Sequence, residues 1–239
     1  MATSGTYNYL ATAGVIVTEA LRKIGVIEEG TSASTAQIED AMPALEMFLK
    51  SLGNKGLMVW KVQKASITLV ASTNAYTYDV NYRFTEITDI QFRDSNGYDT
   101  PMIELSREEY SRQNNKSLEG QPTQYWWDKA AIPGDDRVYV WPAPDSSNAG
   151  NSQALIVTGI LPIEDADDST PDGTYDIDLP SEWYEAVAYG LAVRLAPHHG
   201  LPITDRRELR EEYKEILEDT LNFDRETASV YFRPDRRVE

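Results

Sequence analysis

The sequence predicts an α+β protein: an antiparallel helical bundle formed by N- and C-terminal helices, an inserted β-rich domain, sandwich or barrel-like, and an extended C-terminal arm. Three observations carry this. Apolar residues recur at three- and four-residue steps near both ends of the 239-residue chain, the spacing of one helix face. From Trp60 the period changes to alternation among β-forming residues. The last eighteen residues, 222–239, have no apolar period at all. The expected division is 1–59 for the N-terminal helices, 60–179 for the β-rich insertion with a short helix, 180–221 for the C-terminal helices and 222–239 for the arm.

The first helix is expected over Tyr9–Ile24, on the stripe Leu10, Ala13, Val17, Leu21 and Ile24, with Gly25 as its terminating glycine. Ser34 followed by Gln37 is a capping box. The second helix starts there and presents Ile38, Met42, Leu45, Leu49 and Leu52, with Gly53 and Gly56 closing it. Pro43 interrupts that pattern, and an interior proline removes a hydrogen bond and kinks a helix unless the helix begins close to it.

In the β region, Ile67, Leu69, Tyr76 and Tyr78 alternate with polar residues, and Thr85–Arg93 follows as a strand. Asn96-Gly97 predicts a hairpin to Pro101–Leu105. Ser106 with Glu109 is a second capping box, which places a short surface helix over Ser106–Lys116. Thr123–Asp128, Arg137–Pro142 and Ala154–Pro162 read as three more strands separated by turns rich in Pro, Gly, Ser and Asn.

Pro180 suits the first position of a third long helix, with Glu182 and Glu185 in the first turn and the stripe Trp183, Val187, Gly190, Leu191, Arg194, Leu195, until Pro197 and Gly200 stop it. The last helix begins at Thr204 or Asp205 on Leu209, Tyr213, Ile216, Leu217 and Leu221. The arm carries Arg225, Tyr231, Phe232, Arg233, Arg236 and Arg237. Aromatics and arginine are the residue types enriched at binding hot spots. A segment of this length spans about 60 Å when extended, and without a core of its own it is expected to order only against a neighbour.

Composition narrows function. The chain has no cysteine and two histidines, so thiolate chemistry, disulfides and Cys-type zinc sites are excluded, and no cofactor is expected. Its formal net charge of −17, of which −11 lies in 60–179, opposes nucleic-acid binding. No apolar run is long enough for a membrane span, and Met1–Tyr9 lacks the plan of a signal peptide. Synthesis and residence in a cytoplasm follow as an expectation.

Sharper chemical readings fare poorly. From Asp168, residues Thr170, Asp172, Gly173 and Asp176 fall at calcium-loop positions, but Leu179 stands where the bidentate glutamate is required. The acidic stretch 164–178 therefore reads as a solvated linker. His198-His199 has no third ligand at suitable spacing and reads as a polar helix terminus. GxSxG, P-loop and HExxH patterns do not occur. Trp126 and Trp127 cannot both face inward on a regular strand, so one of them is exposed or meets a partner.

The order of the elements, with four local runs, resembles the head-completion adaptor proteins of tailed phages. The runs are Val17–Val26 (VTEALRKIGV), Ser106–Tyr110 (SREEY), Tyr139–Asp145 (YVWPAPD), and Leu179–Trp183 (LPSEW) followed by Gly190–Pro197 (GLAVRLAP). The resemblance implies a structural, non-enzymatic subunit of a virion ring, generally dodecameric, that binds beneath the portal protein, closes the DNA-filled head and docks tail nozzle or tail tube proteins. It implies that Leu21, Ile24, Leu45, Leu49, Trp183, Leu191 and Leu195 serve bundle and subunit packing, that the arm contacts the portal, and that DNA passes through the channel without specific binding. Trp126 and Trp127 are candidate contacts to a tail protein. Two alternatives remain at this point: a carbohydrate- or receptor-binding virion tail protein, and a cell-wall hydrolase.

Overall fold

The computed structural model describes residues 5, 9–53, 59–78, 84–130, 135–167 and 172–223. In chain order, helices α1 (Ala13–Lys23) and α2 (Thr35–Leu52) precede strands β1 (Val62–Leu69), β2 (Ala75–Tyr76), β3 (Glu86–Arg93), β4 (Asp99–Pro101) and β5 (Ile103–Glu104). The short helix α3 (Arg107–Arg112) is followed by β6 (Glu119–Gly120), β7 (Gln124–Asp128), β8 (Arg137–Trp141), β9 (Ala143–Pro144) and β10 (Gly150–Ile160). Helices α4 (Tyr184–Leu195) and α5 (Ile203–Phe223) complete the described chain. It divides into two compact units, Met1–Val59 with Ile163–Glu239, and Trp60–Pro162.

The helical unit brings the two ends of the chain together, and α4 packs against α1, α2 and α5. That central place explains its composition. Tyr184, Ala186, Val187, Ala188, Gly190, Leu191, Ala192 and Leu195 are all buried, more than one stripe of a helix can supply. Its small residues let three neighbours approach.

Helix α1 begins at Ala13 rather than Tyr9. Thr12 Oγ1 accepts from the Val15 N–H and caps the helix there, so Leu10 precedes the helix and is exposed. At the other end the Gly25 N–H donates to the Arg22 carbonyl and the Val26 N–H to the Leu21 carbonyl, with Gly25 at φ +72°, a Schellman stop of the kind its glycine implied. Helix α2 carries the Ser34–Gln37 capping box in both directions and runs through Pro43. Gly53 closes it in a right-handed conformation, its N–H on the Leu49 carbonyl, while Gly56 lies outside the described residues.

Residues 163–179, expected within the β-rich insertion, belong to the helical unit. Apolar residues within and beside the acidic stretch anchor it: Ile163, Ala166, Ile177 and Leu179 are buried. Lys50 Nζ donates to the Ile163 carbonyl at 2.7 Å and pairs with Asp165 at 2.6 Å, and Glu46 accepts from the Ala166 N–H. The Ala13 and Gly14 N–H groups, which a first helical turn leaves without helical partners, donate to the carbonyls of Tyr175 and Gly173 at 2.9 Å. Gly173 sits at φ +74°, and a Cβ on it would stand 2.8 Å from the Gly14 nitrogen. Pro180 is extended (ψ 152°) and caps the single 3-10 turn Ser181–Trp183 instead of opening the helix.

The β unit contains two four-stranded sheets. In the first, ordered β1-β10-β3-β4, every pairing is antiparallel, and β10, which starts at Gly150 rather than at Ala154, lies between β1 and β3. In the second, ordered β2-β8-β7-β5, the β5–β7 pairing is parallel. A parallel β6–β9 pair stands beside them. Both sheets bury one face in a shared core built on Ile67, Leu69, Tyr76, Ile90, Phe92, Tyr125, Val138, Val140, Leu155 and Val157.

Two local features depart from regular strands. Ile87 and Ile90 are three residues apart, yet both pack on this core, because pairing passes from Asp89↔Thr158 to Ile87↔Gly159 and leaves Thr88 as a bulge. The stretch Pro101–Leu105 is not one strand: β4 ends at Pro101 in the first sheet and β5 begins at Ile103 in the second. Met102, buried, makes the crossing with its N–H on the Ile90 carbonyl. The Asn96-Gly97 hairpin forms as expected, with Gly97 at φ +84° and Asp94 Oδ1 accepting from the N–H groups of Asn96 and Tyr98.

Candidate interaction surfaces

The seven residues assigned to bundle packing are all buried in the helical unit: Leu21, Ile24, Leu45, Leu49, Trp183, Leu191 and Leu195. They form its interior, so its outer surface is carried by other side chains. The arm residues Arg225, Tyr231, Phe232, Arg233, Arg236 and Arg237 lie outside the described residues, while Asn222 and Phe223 complete α5.

The two tryptophans part as the pleat requires. Trp127 turns to the β core, where its Nε1–H donates to the Tyr78 hydroxyl at 3.3 Å. Trp126 takes the opposite face, with its ring centroid 4.9 Å from that of Tyr139, nearly parallel, and 5.3 Å from that of Tyr110. Tyr110 comes from α3, positioned by the Ser106–Glu109 capping box. The helix ends at Arg112, one turn short of the expected Lys116, because Gln113 turns extended. Arg107 lies over the Trp126 ring at 5.3 Å and pairs with Asp128 at 2.6 Å, and Trp141 Nε1–H donates to the Asn115 carbonyl. The aromatic face is thus half-covered by α3 and the loop after it, which leaves its cationic and aromatic edge for contacts.

The strongest electrostatic perturbations belong to the β core. Burial pushes the Tyr78 hydroxyl well above the usual tyrosine value, helped by its hydrogen bond to Asp136 at 2.9 Å. Asp136 is itself buried and accepts the Ala130 N–H with its other oxygen. Tyr125 is pushed up to about 12, chiefly by burial and further by the charges of Glu104 and Asp89. These groups hold structure together: burial is the largest cause of each shift.

In the acidic stretch, Asp167 accepts from the Gly173 N–H, Asp172 from the N–H and hydroxyl of Thr174, and Asp178 from the Glu164 N–H. These carboxylates organise the strap over α1, whereas Asp168 and Thr170 lie outside the described residues. Among the described residues no group of three or more His, Asp or Glu side chains could hold a metal ion, and no helix is long and apolar enough to cross a membrane. His198 and His199 donate their backbone N–H groups to the Leu195 carbonyl at the end of α4, the helix-terminus role read from the sequence.

The most distinctive charged surface is α5. Its core side is Leu209, Leu217 and Thr220, all buried, with Tyr213 and Ile216 half-buried. Beside it a groove along α5, reached by Val193 of α4, has Val193, Pro197 and Ile203 as apolar lining and Arg206, Arg207, Arg210 and Lys214 as a mainly basic wall that also includes Glu211. Nothing in the apolar spacing of α5 revealed this groove, since Val193 comes from α4 and Pro197 from the turn after it.

A comparison with curated proteins gives no match. A family model described as SU10 adaptor protein matches residues 11–237, which includes α1 through α5, both β sheets and nearly all of the C-terminal segment. With helices from both chain ends packed together and a β unit inserted between them, the chain belongs to the SU10 adaptor protein family, the phage head-tail adaptors, a structural class that implies no catalytic role.

Proposed function

We propose that this adaptor is the subunit of a homo-oligomeric ring, a dodecamer, that binds beneath the portal protein of the filled head, closes it and docks the tail nozzle or tail tube proteins. The observation that supports this reading is the extent of the family match, from residue 11 to residue 237, through bundle, β unit and arm together. The arm is the portal-contacting element, with Tyr231 and Phe232 as its apolar anchors and Arg225, Arg233, Arg236 and Arg237 as its charged ones. Burial of those groups on the portal offsets the ordering of the segment. Trp126, in the aromatic cluster beside Arg107, is the tail-facing candidate; Trp127 acts behind it by supporting the core.

The net charge of −17 suits a channel subunit that lets DNA pass, since carboxylates repel phosphate within a Debye length of about 8 Å at physiological salt. The test is recruitment of the purified chain to portal oligomers of its own phage, read by sedimentation. The full chain co-sediments and a chain lacking 224–239 stays in the supernatant. Normal recruitment of the truncated chain would refute the role of the arm.

A further inference from the structure

Apart from Asp205 in its first turn, helix α5 carries most of its charges against its own dipole. Arg206, Arg207 and Arg210 occupy its first two turns, at the positive end of the helix dipole, and Glu215, Glu218 and Asp219 crowd towards the negative end, with no basic residue in the last turn. Charges placed this way weaken an isolated helix. They gain a purpose if something outside the subunit meets them.

At 3.6 residues per turn, the helix resolves into three sectors. The core side, on Leu209, Leu217 and Thr220, has a basic row on one flank, Arg206, Arg210 and Lys214, with Arg207 beside it. On the opposite flank lies an acidic row, Glu208, Glu212, Glu215 and Asp219, all exposed. Both rows step by three or four residues, so they share a rise of about 6 Å and can interdigitate. The basic flank is also the wall of the α4–α5 groove. Arg206 contributes a further sign: its Nε is buried and has no hydrogen-bond partner among the described residues. Glu211, which also lines the groove, is paired with Lys214 at 2.8 Å and sits within the field of Arg210 and Arg207, whereas no ion pair within 4 Å holds Arg206, Arg207 or Arg210 among the described residues.

We infer that the basic groove of one copy receives the acidic row of α5 from a second copy of this chain, and that this seam joins neighbours in the assembly. Complementary patches on opposite flanks of one element are the requirement for a heterologous, head-to-tail contact, the kind that closes into a ring when the rotation allows. In a two-fold contact each copy would have to present both flanks to the same seam, whereas rows on opposite sides of the core stripe let each copy offer one flank to each neighbour. The inference rests on the adaptor reading for its assembly partner and adds the residues that make the subunit contact.

Charge exchange tests it. One variant carries Arg206→Glu, Arg210→Glu and Lys214→Glu; the other carries Glu208→Lys, Glu212→Lys and Glu215→Lys. Each is mixed with portal oligomers, and the number of adaptor copies per portal is read by native mass spectrometry, with circular dichroism confirming helix content. Each variant alone assembles roughly tenfold or more weakly than the wild type, because like charges then face each other. An equimolar mixture recovers full occupancy, since each subunit type offers the flank the other needs. Wild-type occupancy by either variant alone, or a mixture as defective as its components, overturns the seam. Wild-type protein that portal oligomers do not recruit at all refutes the adaptor reading instead; the seam is then judged by the same exchange on portal-free protein with amine–carboxylate cross-linking. Neutral variants, Arg206→Gln with Arg210→Gln, supply the folding-independent control: wild-type occupancy by this pair also counts against the seam.

Discussion

Phe48 fills the space that any side chain at position 190 would need. A Cβ on Gly190 would stand 2.1 Å from the Phe48 ring, and that ring is held by the Arg194 guanidinium at 5.1 Å and the edge of Tyr213 at 6.0 Å. Gly190→Ala should therefore cost about 1–3 kcal/mol through overpacking, read as a lower urea midpoint. In the β unit, Tyr78→Phe removes a donor from buried Asp136 and an acceptor from Trp127. A loss of about 1–3 kcal/mol is expected for leaving a buried polar group short of a partner. The same core sets an alkaline limit. A tyrosine that burial keeps neutral contributes stability below the ordinary tyrosine value of 10.0 and loses it as pH climbs through its raised one. The urea midpoint of the β unit should hold steady up to about pH 10 and fall between pH 10 and 12, and Tyr125→Phe should lessen that fall.

At the scale of elements, the helix ends are set by a handful of side chains. Ser34 both caps α2 and accepts from the Gln37 N–H, so Ser34→Ala should destabilise the helical unit by about 1 kcal/mol, measurable by thermal denaturation. The capping boxes at Ser34 and Ser106 were legible in the sequence because each is written within four consecutive residues. The start of α1 was not, since the stripe from Leu10 looks continuous and only the Thr12 cap and its bridge to Asp176, far along the chain, show where the helix begins. The Thr88 bulge was hidden for a similar reason: a two-residue period cannot reveal that pairing with β10 slips by one residue.

At the scale of the molecule, the insertion enters and leaves at one place. Val62 pairs with Ile160 across β1 and β10, and the Leu161 N–H donates to the Lys61 carbonyl at 2.9 Å. With its termini adjacent and a core of its own, Trp60–Pro162 should fold when expressed alone, giving a cooperative urea transition and dispersed amide resonances. The helical unit, with those residues replaced by a short Gly-Ser linker, should keep its helix content by circular dichroism. A β fragment without a cooperative transition would show that the units depend on each other.

The sequence by itself determined the α+β class, the order of helices and strands, the capping boxes, the glycine stop of α1 and the acidic, cysteine-free character that excluded whole classes of chemistry. Each of these is encoded in composition or within a few neighbouring residues. Tertiary structure alone decided that α4 is the centre of the helical unit, that 163–179 serves α1 and α2, that the chain changes sheets at Met102, and which tryptophan faces the core. It also placed the basic groove, whose lining comes from α4, α5 and the turn between them. The physical reason is common to all of them. A periodic pattern states that a face will be buried, but the partner that buries it lies tens of residues away, and only packing selects that partner.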